Sequence, residues 1–392
     1  MSGSVADRLS RAAVVTACVQ AANVWFESNA SLGSRWRRVA ELHGVVGLAH
    51  VTHDGRLLPL AEFVTGLEGS LADILPSALR EESDQFPLAE DGELSEAAFD
   101  VLRENLAPSV TAQRVAEWEW ETLSAEKIQG WLYGRLLETG SQAGYEAARL
   151  AVINHAAGEL VAINDVIKQV GLPREGLYGP IPAWAWAVRG GERYWFACPL
   201  CGWPMRFQLD RVSCRYPPHT QSLGSMRVRW GRSGTPQLGV ARRDGQPAAE
   251  ARPVDEHVCL VHPVWRYSTI PGLAERELAD ELAGIGGVEV YLWPRTDAYD
   301  LRVVVARTAW ERRGDVKDYA DPGRLAAELS SKRSLHDPRM VIIVPPHRAR
   351  QVDLLNERLQ EAFGQPRRRF AMTTTEFLRS VKRAAARAGE HR

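Results

Sequence analysis

The chain has 392 residues, 45% hydrophobic and 25% charged, with a net charge of −1, which excludes a disordered, collagen-like or fibrous protein. At roughly 100–200 residues per domain there is room for two or three domains with sizeable cores. Charge is unevenly placed: Glu62 to Glu126 holds 16 acids against three basic residues, whereas Cys201 to Arg252 holds nine arginines against three acids, a separation that bears on partners rather than on fold.

From about Ala6 to Val170 the pattern is helical, with helices expected over Ala12–Ala22, Leu71–Leu79, Leu94–Leu106 and Ile128–Leu137, rich in helix formers and poor in β-branched runs. The acidic, Pro/Gly-containing segment Gln85–Glu93 reads as a loop, and a further helical stretch, Tyr145–Val170, stops at Gly171-Leu172-Pro173. Tyr178 to Trp230 turns to Pro, aromatic and β-branched residues, with short strands expected at Tyr194–Ala197, Met205–Leu209 and Met226–Trp230, followed by an aperiodic linker, Gly231–Val254. The remainder alternates: helix Pro271–Ala283, strand Val288–Trp293, turn Pro294–Ala298, a Val-rich strand Leu301–Ala306 expected to be buried on both faces, and strand Asp315–Tyr319. Helix Asp321–Leu329, strand Met340–Val344, helix Val352–Phe363, strand Phe370–Thr373 and a basic helix Thr375–Ala388 complete it. This is a multidomain α and α/β chain: a helical domain (1–175), a small metal-ribbon segment with a linker (176–255) and an α/β domain with a mixed sheet (256–392). No apolar run reaches the ~18 residues that cross a bilayer, and Met1–Ser10 lacks a signal-peptide pattern, so a cytoplasmic protein without membrane contact is expected.

Five cysteines are too few for a disulfide scaffold, and four of them lie between Cys198 and Cys259, which in a reducing compartment suggests metal binding. Cys198-Pro199-Leu200-Cys201-Gly202 is a knuckle in which two thiolates grip one ion while the glycine lets the backbone turn. Cys214 and His219 complete a Cys3His set suited to a closed, structural zinc site. Cys259, His257 and His262 compete with His219 for the fourth place, Cys259 first among them. A reduced cysteine pair without metal and a Cys198/Cys201 redox dithiol are the alternatives, and Cys18 reads as core.

Asp300 opens the Val-rich strand, and Asp315 and Lys317, two residues apart, point to one side of a strand. If the two strands are neighbours, two carboxylates and an ammonium converge, an arrangement that holds Mg²⁺ through oxygen ligands and offsets charge on a phosphoryl oxygen. An ordinary salt-bridged sheet edge is the bland alternative.

This pattern resembles the PD-(D/E)xK nuclease superfamily, whose core is an acid-bearing helix, a hairpin with the first Asp and a strand with D-x-K. The resemblance covers about Ile270 to Val344, with Tyr299 rather than proline before Asp300 and with Asp297 as the alternative first acid. Its upstream acid would come from the PGLAERE segment, where Ala274, Leu278 and Leu282 form an apolar arc with Glu275 at its margin and Glu277 farther away, favouring Glu275. The joint arrangement of helical region, CPLCG knuckle, PGLAE helix, YDL strand and DVKDY strand is similar to the restriction-endonuclease-like proteins of prokaryotic defence islands, notably the nuclease partner of PIWI-RE systems. The resemblance implies a Mg²⁺- or Mn²⁺-dependent endonuclease that acts with partner proteins. Asp300, Asp315 and the Val316 carbonyl would bind metal, Lys317 would stabilise charge and Glu275 would help hold metal or water.

Arg206, Arg211, Arg215, Arg227, Arg229 and Arg232, interleaved with Trp203, Phe207, Tyr216 and Trp230, could track a phosphate backbone beside stacking rings. So could the basic C-terminal stretch that begins with Arg367, Arg368 and Arg369. A solvated basic surface is the competing reading. The expected substrate is DNA, with RNA or an RNA–DNA hybrid as alternatives, and a homodimer would supply two active sites. The competing function is a non-catalytic nucleic-acid-binding or assembly subunit.

Overall fold

The computed structural model describes residues 10–26, 31–81, 84–90, 92–106, 130–231, 234–239, 250–319 and 321–390. Its packing divides into two units: Met1–Trp118 with Tyr319–Lys332 and Glu357–Pro366, and Glu119–Asp318 with Arg333–Asn356 and Arg367–Arg392.

In the first unit the helix Arg11–Phe26 is apolar on nearly every side and is correspondingly central, with Val14, Val15, Cys18, Val19, Ala21 and Ala22 buried. The helix Leu32–Asp54 packs beside it, started by the Ser31 hydroxyl accepting from the Ser34 amide and ended by Gly55 in the left-handed region. The helix expected over Leu71–Leu79 is interrupted, with an α-turn Leu71–Ile74 and a 3-10 turn Ser77–Leu79, because Pro76 has no amide to continue the ladder. The expected loop at 85–93 contains a small hairpin, Ala89–Glu90 with Glu93–Leu94. Arg11 ties this unit together, reaching Asp84 (2.6 Å), Asp321 (3.2 Å) and Glu81 (3.2 Å).

In the second unit residues 130–137 are helical; the start of that expected helix, 128–129, lies outside the described residues, as does Arg232. The stretch Tyr145–Val170 is not one helix. It forms Gln142–Asn154 and Leu160–Gln169, separated by a strand Ala157–Glu159 that pairs antiparallel with His257–Leu260, a case of tertiary pairing overriding helix propensity. The linker region likewise contributes strands, Pro236–Gly239 against Met226–Trp230 and Ala251–Pro253 against Glu192–Phe196. These short antiparallel sheets pack on Trp195, Phe196, Trp203 and Trp265, with Trp203 and Trp265 stacked at 4.0 Å.

The C-terminal sheet runs Val288–Leu292, Leu301–Val305, Glu311–Val316, Met340–Val344 and Ala371–Thr373, in that spatial order. The first three strands are antiparallel and the last two join in parallel, making a mixed sheet. One face carries Leu301, Val303, Val316, Val341 and Ile343, and Leu278, Leu282, Phe377 and Val381 from helices Ile270–Ala283 and Thr374–Glu390 complete that core. Leu301–Val305 alternates buried and half-buried positions instead of being buried on both faces, since the core closes over one side only. Among the described residues no helix is long and apolar enough to cross a membrane.

Helix Ile270–Ala283 lies close to helix Gln142–Asn154: a Cβ on Gly272 would fall 2.3 Å from the Ile153 Cδ1 and 2.7 Å from its Cγ1. Gly272→Val is therefore expected to overpack this contact and lower stability by about 1–3 kcal/mol, measured by urea denaturation against Gly286→Ala, where no heavy atom lies within 4 Å.

Candidate active site and metal knuckle

The register that pairs Leu301 with Gly314 continues outward to set Asp300 opposite Asp315 at the ends of two antiparallel strands. The strand is Glu311–Val316 rather than the expected Asp315–Tyr319; Lys317 follows its last residue, and its amide still bonds the Ile343 carbonyl of the neighbouring strand, which keeps it on the side of Asp315. The Asp300 carboxylate is buried (6% exposed) and accepts the Val316 amide at 2.6 Å. Lys317 Nζ lies 2.5 Å from the Asp315 Oδ1, 3.4 Å from the Val316 carbonyl and 4.0 Å from the Asp300 Oδ2. One ammonium thus touches the three oxygen groups that the sequence pattern put forward as metal ligands. Burial drives the Asp300 pKa well above the usual carboxylate range, and the nearby Glu275 charge adds to this while Lys317 opposes it. Hard oxygens crowded at one strand end fit an oxygen-seeking divalent cation.

Cys198, Cys201, Cys214 and His219 come together so that all four ligand atoms lie within 4.8 Å of one another. The Cys214 Sγ lies 3.6 Å and the Cys198 Sγ 3.8 Å from the His219 Nδ1, and the Cys201 and Cys214 sulfurs are 3.8 Å apart. The knuckle turns on Gly202, at φ 71°, whose amide donates to the Cys198 carbonyl. Hydrogen bonds from Cys201 and Cys214 hold the Cys198 thiol low, burial pushes Cys201 up, and hydrogen bonding to Cys198 and Cys201 raises Cys214. Three sulfurs and an imidazole nitrogen this close together are a donor set that can hold zinc, which would let the thiols ionise. Cys259 lies apart on strand His257–Leu260, its Sγ facing the Pro180 carbonyl, and burial pushes its thiol up to about 12.

The arginines fall into several environments. Arg211 donates to Ser225, Arg227 pairs with Asp210, and Arg215 lies over the Trp184 ring. Arg368 donates to the Asp337 carbonyl and covers Phe370, and Arg369 pairs with Glu376. Arg206 is half-buried, and Arg229 and Arg367 are exposed. Of the interleaved rings, Trp203 and Tyr216 are buried within the protein, while Phe207 and Trp230 are half-buried.

Sequence reasoning missed Arg149. It comes from helix Gln142–Asn154, 126 positions before Glu275, and no local motif marks it; only its place as a lone arginine on a largely apolar helix face hints at a buried partner. Glu275 is 2% exposed and its Oε2 accepts from Arg149 at 2.8 Å and from the Trp293 indole. Glu277, by contrast, is exposed. Arg149 also reaches Asp297 at 2.5 Å and lies 4.5 Å over the Trp293 ring. Burial raises the Glu275 pKa, against the pull of Arg149 and Trp293. Truncating Arg149 leaves two carboxylates without their counter-charge. Arg149→Ala is expected to cost about 3–5 kcal/mol in chemical denaturation, with Glu275→Gln added to it recovering part of the loss.

Comparison with curated proteins returns no match, and comparison with solved structures returns none either. Residues 272–389, from the acid-bearing helix through the mixed sheet to the terminal helix, match the family model described as REase associating with pPIWI_RE, which supports a restriction-endonuclease-like domain in this part of the chain.

Proposed function

We propose that the chain is a metal-dependent endonuclease that hydrolyses phosphodiester bonds of DNA and works with a pPIWI_RE protein in defence against invading nucleic acid. The family description, a REase associating with pPIWI_RE, supports both the reaction class and the partner. The observation that carries the reading is the Lys317 ammonium among the Asp300 and Asp315 carboxylates and the Val316 carbonyl.

In this reading Asp300, Asp315 and the Val316 carbonyl would hold Mg²⁺ or Mn²⁺. A cation bound there would supply Lewis-acid polarisation of a phosphoryl oxygen and a more acidic water. Lys317, with its ammonium already directed at oxygen atoms, stabilises the charge that develops on the phosphoryl group. Glu275, fixed by Arg149 and Trp293, orients the metal ligands or the attacking water from the helix side. Zinc in the Cys3His knuckle is structural, because four protein ligands leave no open position. The exposed Arg229 and Arg367, with Arg206, Arg211, Arg215, Arg227, Arg368 and Arg369, supply phosphate contacts. The parts of the reading correspond to the three segments 1–175, 176–255 and 256–392, and a double-strand break would draw on two copies.

Cleavage of plasmid and single-stranded DNA with Mg²⁺ or Mn²⁺ tests it. Asp315→Ala and Lys317→Ala are each expected to lower the rate by about 10²–10³-fold with folding retained; activity kept in both variants overturns the assignment. Salt-sensitive binding of DNA without cleavage, by the protein alone and with a pPIWI_RE partner, would favour a binding or assembly subunit instead.

Metal analysis provides a second check. The purified protein is expected to carry one zinc per chain, and Cys214→Ser to lose it. Chelation should loosen the segment from Cys198 to His219 before the rest of the chain, and unchanged melting after zinc removal would contradict the structural role.

A further inference from the structure

Two side chains lie between the cysteine knuckle and the strand that carries Asp315 and Lys317. Tyr216 sits within the knuckle, between Cys214 and His219, and its ring meets the His219 ring edge-on at 4.8 Å. Its backbone carbonyl accepts the amides of His219 and Thr220 at 3.0 and 3.2 Å, so the tyrosine and the candidate ligand belong to one turn. The ring is buried, and its hydroxyl donates to the Asp318 Oδ2 at 2.8 Å. Asp318 directly follows Lys317, whose own amide donates to the Ile343 carbonyl of the neighbouring strand at 2.9 Å.

Asp318 gathers more than the tyrosine. Its Oδ1 accepts from the His347 Nε2 and the Arg348 Nε, both at 2.9 Å, and the Arg266 guanidinium lies 3.8 Å from its Oδ2. Arg266 also covers the Tyr216 ring at 5.1 Å and precedes the helix bearing Glu275. A single buried carboxylate therefore joins the knuckle, the approach to the acid-bearing helix and the loop after Met340–Val344 at the residue beside the lysine. A satisfied network of this kind fixes the atoms it contains more firmly than separate pairs would.

We infer that Tyr216 and Asp318 are positioning residues through which the metal-filled knuckle braces the strand end carrying Asp315 and Lys317. The inference rests on the endonuclease reading for its consequence, but the brace itself is testable without cleavage. Asp318→Ala would remove the buried acceptor shared by Tyr216, His347 and Arg348 and threaten folding, so Tyr216→Phe is the informative change: it removes one hydroxyl and leaves the four knuckle ligands in place. Hydrogen exchange of the full-length, Zn²⁺-loaded protein is read by mass spectrometry over residues 311–318, with residues 60–75 as the control segment. Tyr216→Phe is expected to keep its zinc and speed exchange at 311–318 by about fivefold, the loss of one buried hydrogen bond, with the control unchanged. Stripping Zn²⁺ from the unsubstituted protein is expected to speed the same segment at least as much. If exchange at 311–318 stays at the unsubstituted rate both in Tyr216→Phe and after zinc removal, the brace does not exist.

Cleavage kinetics then separate the two ideas. With the brace acting on a working site, Tyr216→Phe lowers kcat while KM for DNA stays within experimental error. If the unsubstituted protein cleaves no DNA in any condition, the endonuclease reading falls and the exchange data alone decide the brace.

Discussion

The hydrogen bond from the Val316 amide to the Asp300 carboxylate, 2.6 Å long and buried, is the contact on which the C-terminal site depends. It closes the open end of an antiparallel strand pair whose register places Asp300 opposite Asp315. A slip of one residue would turn Asp315 and Lys317 to the other face and Val316 out of the core. The register is held from the opposite side by Gly314, where an added Cβ would come within 2.5 Å of the Ile343 Cδ1. The missing side chain lets the parallel strand approach, and that approach in turn gives the Lys317 amide its acceptor, the Ile343 carbonyl.

Crowding carboxylates into this volume is unfavourable, and the surrounding chain offsets it with cations drawn from separate elements. Lys317 serves Asp315 and Asp300; Arg149 serves Glu275 and Asp297. The connection between the sheet's first two strands is itself unusual. Trp293, Arg295, Thr296 and Asp297 all have positive φ, between 44° and 71°, at roughly 1–2 kcal/mol each for residues with side chains. Gln142 holds the turn from both sides, donating to the Trp293 carbonyl and accepting the Thr296 amide, each at 2.8 Å, while Arg149 fixes Asp297. The helix that supplies Gln142 and Arg149 thus determines where Trp293 presents its indole to Glu275, and strain of this kind persists only where the surroundings over-determine it.

Much of this was legible in the amino-acid sequence. The spacing of Asp300, Asp315 and Lys317, the strand at Met340–Val344 and the helix at Val352–Phe363 follow from periodicity, because each is a regular element whose buried face repeats. The Cys198, Cys201, Cys214 and His219 grouping was legible from spacing, since a knuckle and a short return bring ligands together locally. Arg149 and Gln142 were not, because their partners lie more than a hundred positions away and a single polar residue on a helix carries no periodic signal. The break at His155 was hidden for a related reason: strand Ala157–Glu159 exists through its pairing with His257–Leu260 and not through its own composition. Asp318 was passed over because the D-x-K pattern drew attention to its neighbours, and only its four partners reveal it.

The distribution of cost argues about purpose. A sheet edge that served as scaffold alone would gain stability by exchanging buried ion pairs for apolar residues of similar volume. Here Glu275 and Asp300 are both buried, their charges raised in energy by desolvation, and the adjoining turn is held in a left-handed conformation against its preference. Elsewhere in the same domain the rules are obeyed, with Leu278, Leu282, Val303 and Phe377 forming a close-packed apolar core. Buried charge and backbone strain gathered beside a conventional core are what a site selected for chemistry leaves behind. The arrangement accords with the proposed nuclease role better than with a purely architectural one, and the balancing cations come from the strand end itself, Lys317, and from a distant helix, Arg149.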